Sequence, residues 1–438
     1  MISKIADRQF MAIALLVAPI LALILGFFSK YVSGNENNPH QFVFSQNENL
    51  PAYLFMSVIV ALFLGLIIAA EEIHRDRRIL ERESFLNLSR SAYLLSKISL
   101  LFILSGIQML MFVLIGNLIM EIRGLNFSYW LILFSTACFA NMLGLLISDG
   151  LKSVVAIYVI VPFLLVPQIL LAGVIVKFDK LHYKFASDVV VPYSGEIMPS
   201  RWAYEALAVN QFVNNAYQKP LYEIERLESN VTYDLQFLIP AIIHETEDAI
   251  ALVQDNPSEE ELAESLGTMK QALNTISLTT PYPNPEHLHP DQFTDSHGDE
   301  LIHWLENYQS ALRKHRDRLV SEKDRLIDSL KDEAGGLDNF VLLKQKHYNE
   351  KLAQLVLNRN NLYKIIRKDG QLIRKMDPIY QYPQKRNGRA HFFASLKQYG
   401  NTYIPTLYFN LATIWIMTLI IFILLRFSAF KLLVLYIR

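Results

Sequence analysis

One stretch of the chain concentrates metal-ligating side chains. His287 and His289 flank Leu288, and Asp291, Asp295, His297 and His303 follow closely. Two imidazoles at i, i+2 beside carboxylates can bind Zn²⁺. The spacing matches no standard zinc site, and the stretch is a loop broken by Pro281, Pro283, Pro285 and Pro290. A solvated loop is the expectation, and no metal is assigned. No G-x-x-x-x-G-K-[ST], G-x-S-x-G or H-E-x-x-H occurs, so P-loop ATP binding and those two hydrolytic chemistries are excluded. The sole cysteine, Cys138, lies in an apolar run with no activating base nearby. No catalytic residue and no cofactor in this chain are therefore expected.

Charge is concentrated in Glu71–Lys97, between two apolar runs. The block holds Arg75, Arg77, Arg78, Arg82, Arg90 and Lys97 among Glu71, Asp76, Glu81 and Glu83. As a helix it pairs Arg77 with Glu81 at i, i+4 and sets Arg78 against Arg82. Such a surface suits an acidic partner, lipid headgroups or the groove of a soluble protein, and an ordinary basic loop is the plain alternative. Four polar residues lie inside apolar runs: Gln108, Asn117, Asn141 and Gln168. They are expected either to bond neighbouring helices or to line a path. Pro162, Pro167 and Gly173 mark a kinked segment that could form a gate.

The chain that must position these groups is 438 residues long, 52% hydrophobic, with a formal net charge of −1. No nucleic-acid partner is expected. Apolar residues gather in Phe10–Phe28, Ala52–Ala70, Ile98–Met120, Tyr129–Ile147, Val154–Val176 and Ile404–Leu425. Each run is about 20 residues, enough for a helix to cross the bilayer, so six spans are expected. The first lacks a cleavage site and reads as a retained span. Lys4 and Arg8 precede span one and the basic block follows span two, while Lys30 and Arg123 stand alone in their loops. The positive-inside rule then puts both termini and the block in the cytoplasm, and Lys177–Tyr403 outside. The outside region has no cysteine for a disulfide, which favours a bacterial inner membrane.

That outside region is expected to be helical and coiled-coil-like. Ser258 and Glu261 form a capping box ahead of Leu262, Leu266, Met269, Leu273 and Ile276. Leu301, Leu305, Tyr308, Leu312, His315, Leu319, Leu326 and Leu330 continue a helical stripe, interrupted by Glu322. Gly335–Gly336 then turns the chain towards Tyr348, Leu352, Leu355, Leu362 and Ile365, so an antiparallel hairpin over 298–376 is the simplest fold. It reads either as a stalk for an extracytoplasmic partner or as a cover for an outer gate. The expected organisation is spans one to five over 1–176 with a cytoplasmic helix at 71–92, an outer segment at 177–212, a helical domain at 213–403 and a last span with its tail at 404–438. The fold class is an all-α membrane protein.

The order of these residues resembles the permease half of G-type ABC exporters, the White and pigment-precursor family. Glu81, Arg82 and Phe85 match its E-R-x-x-F core, with Arg90, Tyr93, Ser96 and Lys97 following. After span five, Pro167 to Ile175 and then Met198, Pro199, Trp202, Tyr204, Glu205, Ala206, Leu207, Asn210 and Phe212 match a second signature. The resemblance covers residues 1 to about 212 and span six. It implies a homo- or heterodimer of permeases driven by ABC ATPases that hold ATP and Mg, on a separate subunit or fused upstream. It implies coupling through Glu71, Asp76, Arg77, Arg78, Glu81, Arg82 and Glu83. Leu64 and Gln168 would lie on the cargo path, Gly173, Val174 and Ile175 at its apolar valve, and Pro199–Phe212 at the outer gate. The implied activity is export of an amphipathic or lipid-like substrate. A mechanical transducer acting on an outside partner and a multi-span anchor are the rival readings.

Overall fold

A computed structural model describes residues 8–32, 34, 41–83, 89–151, 153–254, 259–276, 281–428 and 430. In chain order its main elements are α1 (Arg8–Ser29), α2 (Leu50–Ala70), α3 (Glu72–Glu83), α4 (Arg90–Met120), α5 (Asn126–Gly150), α6 (Val154–Leu170), α7 (Pro199–Val213), α8 (Gln218–Tyr233), α9 (Ile239–Gln254), α10 (Glu259–Thr275), α11 (Asp295–Glu333), α12 (Leu337–His347), α13 (Glu350–Val356), β1 (Ile365–Lys368), β2 (Gln371–Arg374), β3 (Leu396–Tyr399), β4 (Thr402–Pro405) and α14 (Thr406–Arg426). The chain divides into a first unit of residues 1–216, 343–353 and 383–438 and a second of 217–342 and 354–382.

Among the described residues of the first unit, five helices are long and apolar enough to cross a membrane: Met11–Ser29, Leu50–Arg77, Arg90–Met120, Asn126–Gly150 and Thr406–Arg426. The remaining expected span, the fifth (Val154–Val176), is shorter than its apolar run. It ends as α6 at Leu170, after 17 residues. The chain turns there because Gly173 takes a left-handed φ of 78°, and a Cβ at that position would come within 2.4 Å of the Phe178 ring. The tightest packing is between α2 and α5. A Cβ on Gly65 would stand 2.6 Å from the Ala137 carbonyl, and one on Gly144 would stand 2.8 Å from Ala69 Cβ. Small residues let the two backbones approach where apolar burial cannot drive association.

The polar residues inside the spans bond neighbouring elements. Gln108 donates to the Ala14 carbonyl, Asn117 to Asn126 Oδ1 at 2.8 Å and Asn141 to Ser105 Oγ at 2.8 Å. Gln168 holds the start of α7: its Oε1 accepts from Ser200 N, and its backbone carbonyl accepts from Ser200 Oγ at 2.6 Å.

The second unit corrects the expected hairpin. The long helix α11 packs on α8 and α9, not on the segment after Gly335–Gly336. Leu301, Leu305, Leu312 and Leu319 close a core with Ile239, Ile242, Leu266 and Met269. The expected second helix is cut at Tyr348–Asn349, where the Asn349 Oδ1 caps α13 by accepting from Leu352 N at 2.8 Å. Ile365 lies in a strand, and Leu362 is 90% exposed. The chain is mostly helical, as expected, and to the helices the structure adds two short antiparallel hairpins, β1–β2 and β3–β4. Ser258 and its capping box lie outside the described residues. No group of three or more metal-ligating side chains occurs among the described residues. His287 stacks on His297 instead, with ring centroids 4.1 Å apart.

Candidate functional site

The charged block begins as a continuation of α2. Glu71 joins the two helices and accepts a hydrogen bond from Tyr158 of α6. Ser148 Oγ, at the end of α5, accepts from both Ile73 N and His74 N at 3.0 and 2.9 Å, satisfying free amides at the start of α3. Glu72 is buried, and its Oε2 lies 3.2 Å from Lys97 Nζ of α4. The same ammonium reaches Asp76 at 2.5 Å, and the Tyr93 hydroxyl donates to that carboxylate. Arg77 donates to the Asp149 carbonyl at 2.9 Å, while Arg90 bridges the Asp149 carboxylate and the Leu425 carbonyl of α14. The first turns of α3 are therefore tied to α4 and α5, with Arg90 joining α14 to the same cluster. A displacement of α3 cannot be absorbed locally without breaking charge-assisted bonds. The backbone of α3 extends to Glu83, but the side chains of Arg78, Glu81, Arg82 and Glu83 lie outside the described residues, as does Phe85.

Of the expected path residues, Leu64 is buried and faces its own bundle. The exposed lane of α2 is Met56, Phe63 and Ile67, so its aromatic is the neighbour, Phe63. On α6 the exposed apolar side chains include Tyr158, Val159, Phe163 and Val166, and Ile175 is exposed just beyond the Gly173 turn.

The segment 177–212 folds around a buried charge. Pro199 opens α7 at a position where a missing N–H costs nothing. Glu205 is fully buried and receives Lys397 Nζ at 2.8 Å, Asn410 Nδ2 at 2.9 Å and Phe393 N at 3.1 Å. Arg201, one turn earlier, lies 3.5 Å from the same carboxylate, with its guanidinium on the Trp202 ring at 3.9 Å. Burial alone raises the Glu205 carboxyl, but Arg201, Lys397 and the two side-chain hydrogen bonds outweigh it and hold it below the usual range. Trp202 donates to the Glu196 carbonyl, and Tyr204 packs edge-on against Phe55 of α2. Asn210 bonds Ser128 Oγ, and Phe212 packs on Tyr348. The structure thus brings Pro199, Trp202, Tyr204, Glu205, Asn210 and Phe212 together on one buried helix. Lys397 and Asn410, which complete the cluster, lie about 200 positions further along the chain.

Residues 2–212 match the family model of the ABC-2 type transporter. This stretch is an ABC-2 membrane domain. It holds α1 to α6 and nearly all of α7, and with them both anchor clusters except the Phe393 amide, Lys397, Asn410 and the Leu425 carbonyl. ABC-2 permease domains generally pair with an ABC ATPase and work as dimers. No curated protein matches the chain.

Proposed function

We propose that this chain is the permease of an ATP-driven ABC exporter of the G type, with six crossings and both termini inside. It would move an amphipathic or lipid-like substrate outward. The observation that carries the reading is the rigid joint at Glu72, Asp76 and Lys97, which makes α3 a lever on α2 at the membrane surface. An ATPase that holds ATP and Mg would push on the distal turns, Arg78 to Glu83. The joint would transmit that motion to α2, whose exposed Phe63 lane and the exposed flank of α6 would face a second permease copy. Cargo would pass between the copies and leave past Gly173, Val174 and Ile175, where an apolar constriction resists leakage.

The test is reconstitution with the cognate ATPase in vesicles. Arg82→Ala or Glu83→Ala should leave the protein folded and ATP hydrolysis present while abolishing flux of a labelled amphiphile. Unchanged flux in the Glu83→Ala protein would count strongly against coupling through α3. A second reading is a mechanical transducer that moves an extracytoplasmic partner. The separate core of the second unit favours it. ATP-dependent exposure changes in that unit without cargo flux would select the transducer. Failure to co-purify with any ATPase would leave the anchor reading.

A further inference from the structure

Residues 389–397 lie beyond the matched stretch, and their first half serves none of the roles above. The later half is fixed in place. Phe393 N and Lys397 Nζ donate to Glu205 at 3.1 and 2.8 Å. The Ala394 and Ser395 carbonyls accept from Thr406 Oγ1 and Thr406 N at 2.5 and 3.0 Å, at the start of α14. The first half reaches towards the Gly173 turn. Arg389 Nη2 donates to the Val191 carbonyl at 2.8 Å, and Val191 N donates to the Ala390 carbonyl at 3.1 Å. The same guanidinium lies on the Tyr193 ring, 3.9 Å from its centre, with Nε 3.7 Å from Glu196 Oε1. Phe392 meets Phe178 edge-on at 5.1 Å. Phe178 fills the space that Gly173 and Gly195 leave open, where a Cβ would come within 2.4 and 2.7 Å of its ring. Residues 172–176 make no backbone hydrogen bond among the described residues, so the Phe178 wedge sets where that turn lies.

We infer that residues 389–392 are a latch on the Gly173 turn, with Arg389 as its positioning residue. Two observations make this a latch and not more core. The first is the contrast between its ends. Glu205, Lys397 and Asn410 are fully buried, and breaking their contacts strands polar groups away from water. Arg389 is partly exposed and holds its side by one charge-assisted bond, one ring stack and an ion pair too long for a hydrogen bond. A load on the segment therefore releases Arg389 before Lys397. The second is the hinge in what it holds. Gly173 has a left-handed φ of 78°, and only the Phe178 wedge, backed by Phe392, steadies the residues that follow it. With Arg389 released, Phe178 loses that backing, and the turn carrying Val174 and Ile175 is free to swing on Gly173. The bearing on cargo rests on the reading of Val174 and Ile175 as the valve.

The test uses the full chain in detergent. Ala172 is buried beside the turn, so the thiol of Ala172→Cys reacts with a small methanethiosulfonate when the turn opens. Native Cys138, buried in α5, reports general unfolding in the same sample. Arg389→Gln should speed modification of Ala172→Cys at least about tenfold, the factor carried by one bond to a charged group, and leave Cys138 unchanged. Tyr193→Ala removes only an exposed ring and should speed the same reaction about two- to fivefold. A merely structural role would accelerate both thiols together. Equal acceleration at both overturns the latch, and so does an Ala172→Cys rate that neither variant moves. Where Arg389→Gln does not fold, the Tyr193→Ala rates decide alone. The valve reading is tested apart, without an ATPase. In vesicles, Arg389→Gln should raise passive leak of a small dye. Faster modification of Ala172→Cys without leak leaves the latch standing and removes Val174 and Ile175 as the constriction.

Discussion

At the scale of single residues, α7 depends on a carboxylate with no solvent contact. Glu205 is surrounded by Lys397, Arg201, Asn410 and the Phe393 amide. Removing one member of such a group leaves the others buried and unpaired, which costs about 3–5 kcal/mol. Glu205→Ala should therefore lower thermal stability in detergent sharply, and Glu205→Gln nearly as much. The pH dependence follows from the sign of the shift. The folded carboxyl is held below its ordinary value of 4.5, so the unfolded chain binds the proton first as pH falls. The stabilisation is complete above that ordinary value and is lost as pH drops through the folded one. The gap between native and Glu205→Gln melting temperatures should be flat from neutral pH down to about 5 and close below it. A gap that narrows above that range would show that another group carries the effect. Half of this cluster was legible in the sequence, since Glu205 follows a recognisable Pro199–Trp202–Tyr204 pattern. Lys397 was not, because a lone lysine in a polar stretch carries no sign of a partner nearly two hundred residues away.

At the scale of elements, the membrane helices were legible because hydrocarbon demands long apolar runs, and most of their ends fell within a few residues of the expected ones. One exception is α4, which starts at Arg90, ahead of the expected Ile98, because the polar turns before the apolar run are helical too. Another is α6, where Gly173 and the Phe178 wedge end a helix that apolar content alone extends to Val176. The second-unit hairpin failed for a different reason. Heptad-like spacing marks a helix but not its partner, and the interruption at Asn349 serves contacts in another part of the chain: its Nδ2 donates to the Phe44 and Asn47 carbonyls, each at 2.8 Å. Both β-hairpins carried a usable signal. Asp369-Gly370 and Gly400-Asn401 are two-residue turns whose left-handed φ values at Asp369, Gly370 and Gly400 suit a strand reversal. Glycine placement gives a prediction at this scale. A Cβ on Gly106 would meet only the Phe134 ring at 3.5 Å, whereas one on Gly144 would press on Ala69 and the Leu66 carbonyl at 2.8 and 2.9 Å. Gly106→Ala should leave stability unchanged or raise it by about 0.5–1 kcal/mol through helix propensity. Gly144→Ala should lower it by about 1–3 kcal/mol, because α2 and α5 must separate. Melting curves of the two purified variants check the pair, and equal shifts would contradict a close α2–α5 contact.

At the scale of the whole molecule, the matched ABC-2 stretch ends at Phe212 and the second unit begins at Tyr217, so a family boundary and a packing boundary nearly coincide. The two units rest on different physics. The first is built from helices whose interfaces are small residues and polar bonds. The second has a water-excluding core of Leu301, Leu305, Leu312 and Leu319 against Ile239, Ile242, Leu266 and Met269. Hydrophobic burial of that kind weakens in urea, while helices held in lipid or detergent resist it. The second unit should therefore unfold first and alone. The chain supplies its own reporter, because three of its four tryptophans, Trp130, Trp202 and Trp415, lie in the first unit and only Trp304 in the second. Trp304 packs edge-on to Tyr282 at 5.2 Å and stacks on Tyr308 at 5.7 Å, so its emission should shift to the red when that core opens. In a Trp130→Phe/Trp202→Phe/Trp415→Phe protein, the Trp304 transition should precede loss of helical circular dichroism from the membrane unit, leaving a plateau between the two. A single coincident transition would mean that the units unfold cooperatively, and the second could then not move as an independent body in either an exporter or a transducer.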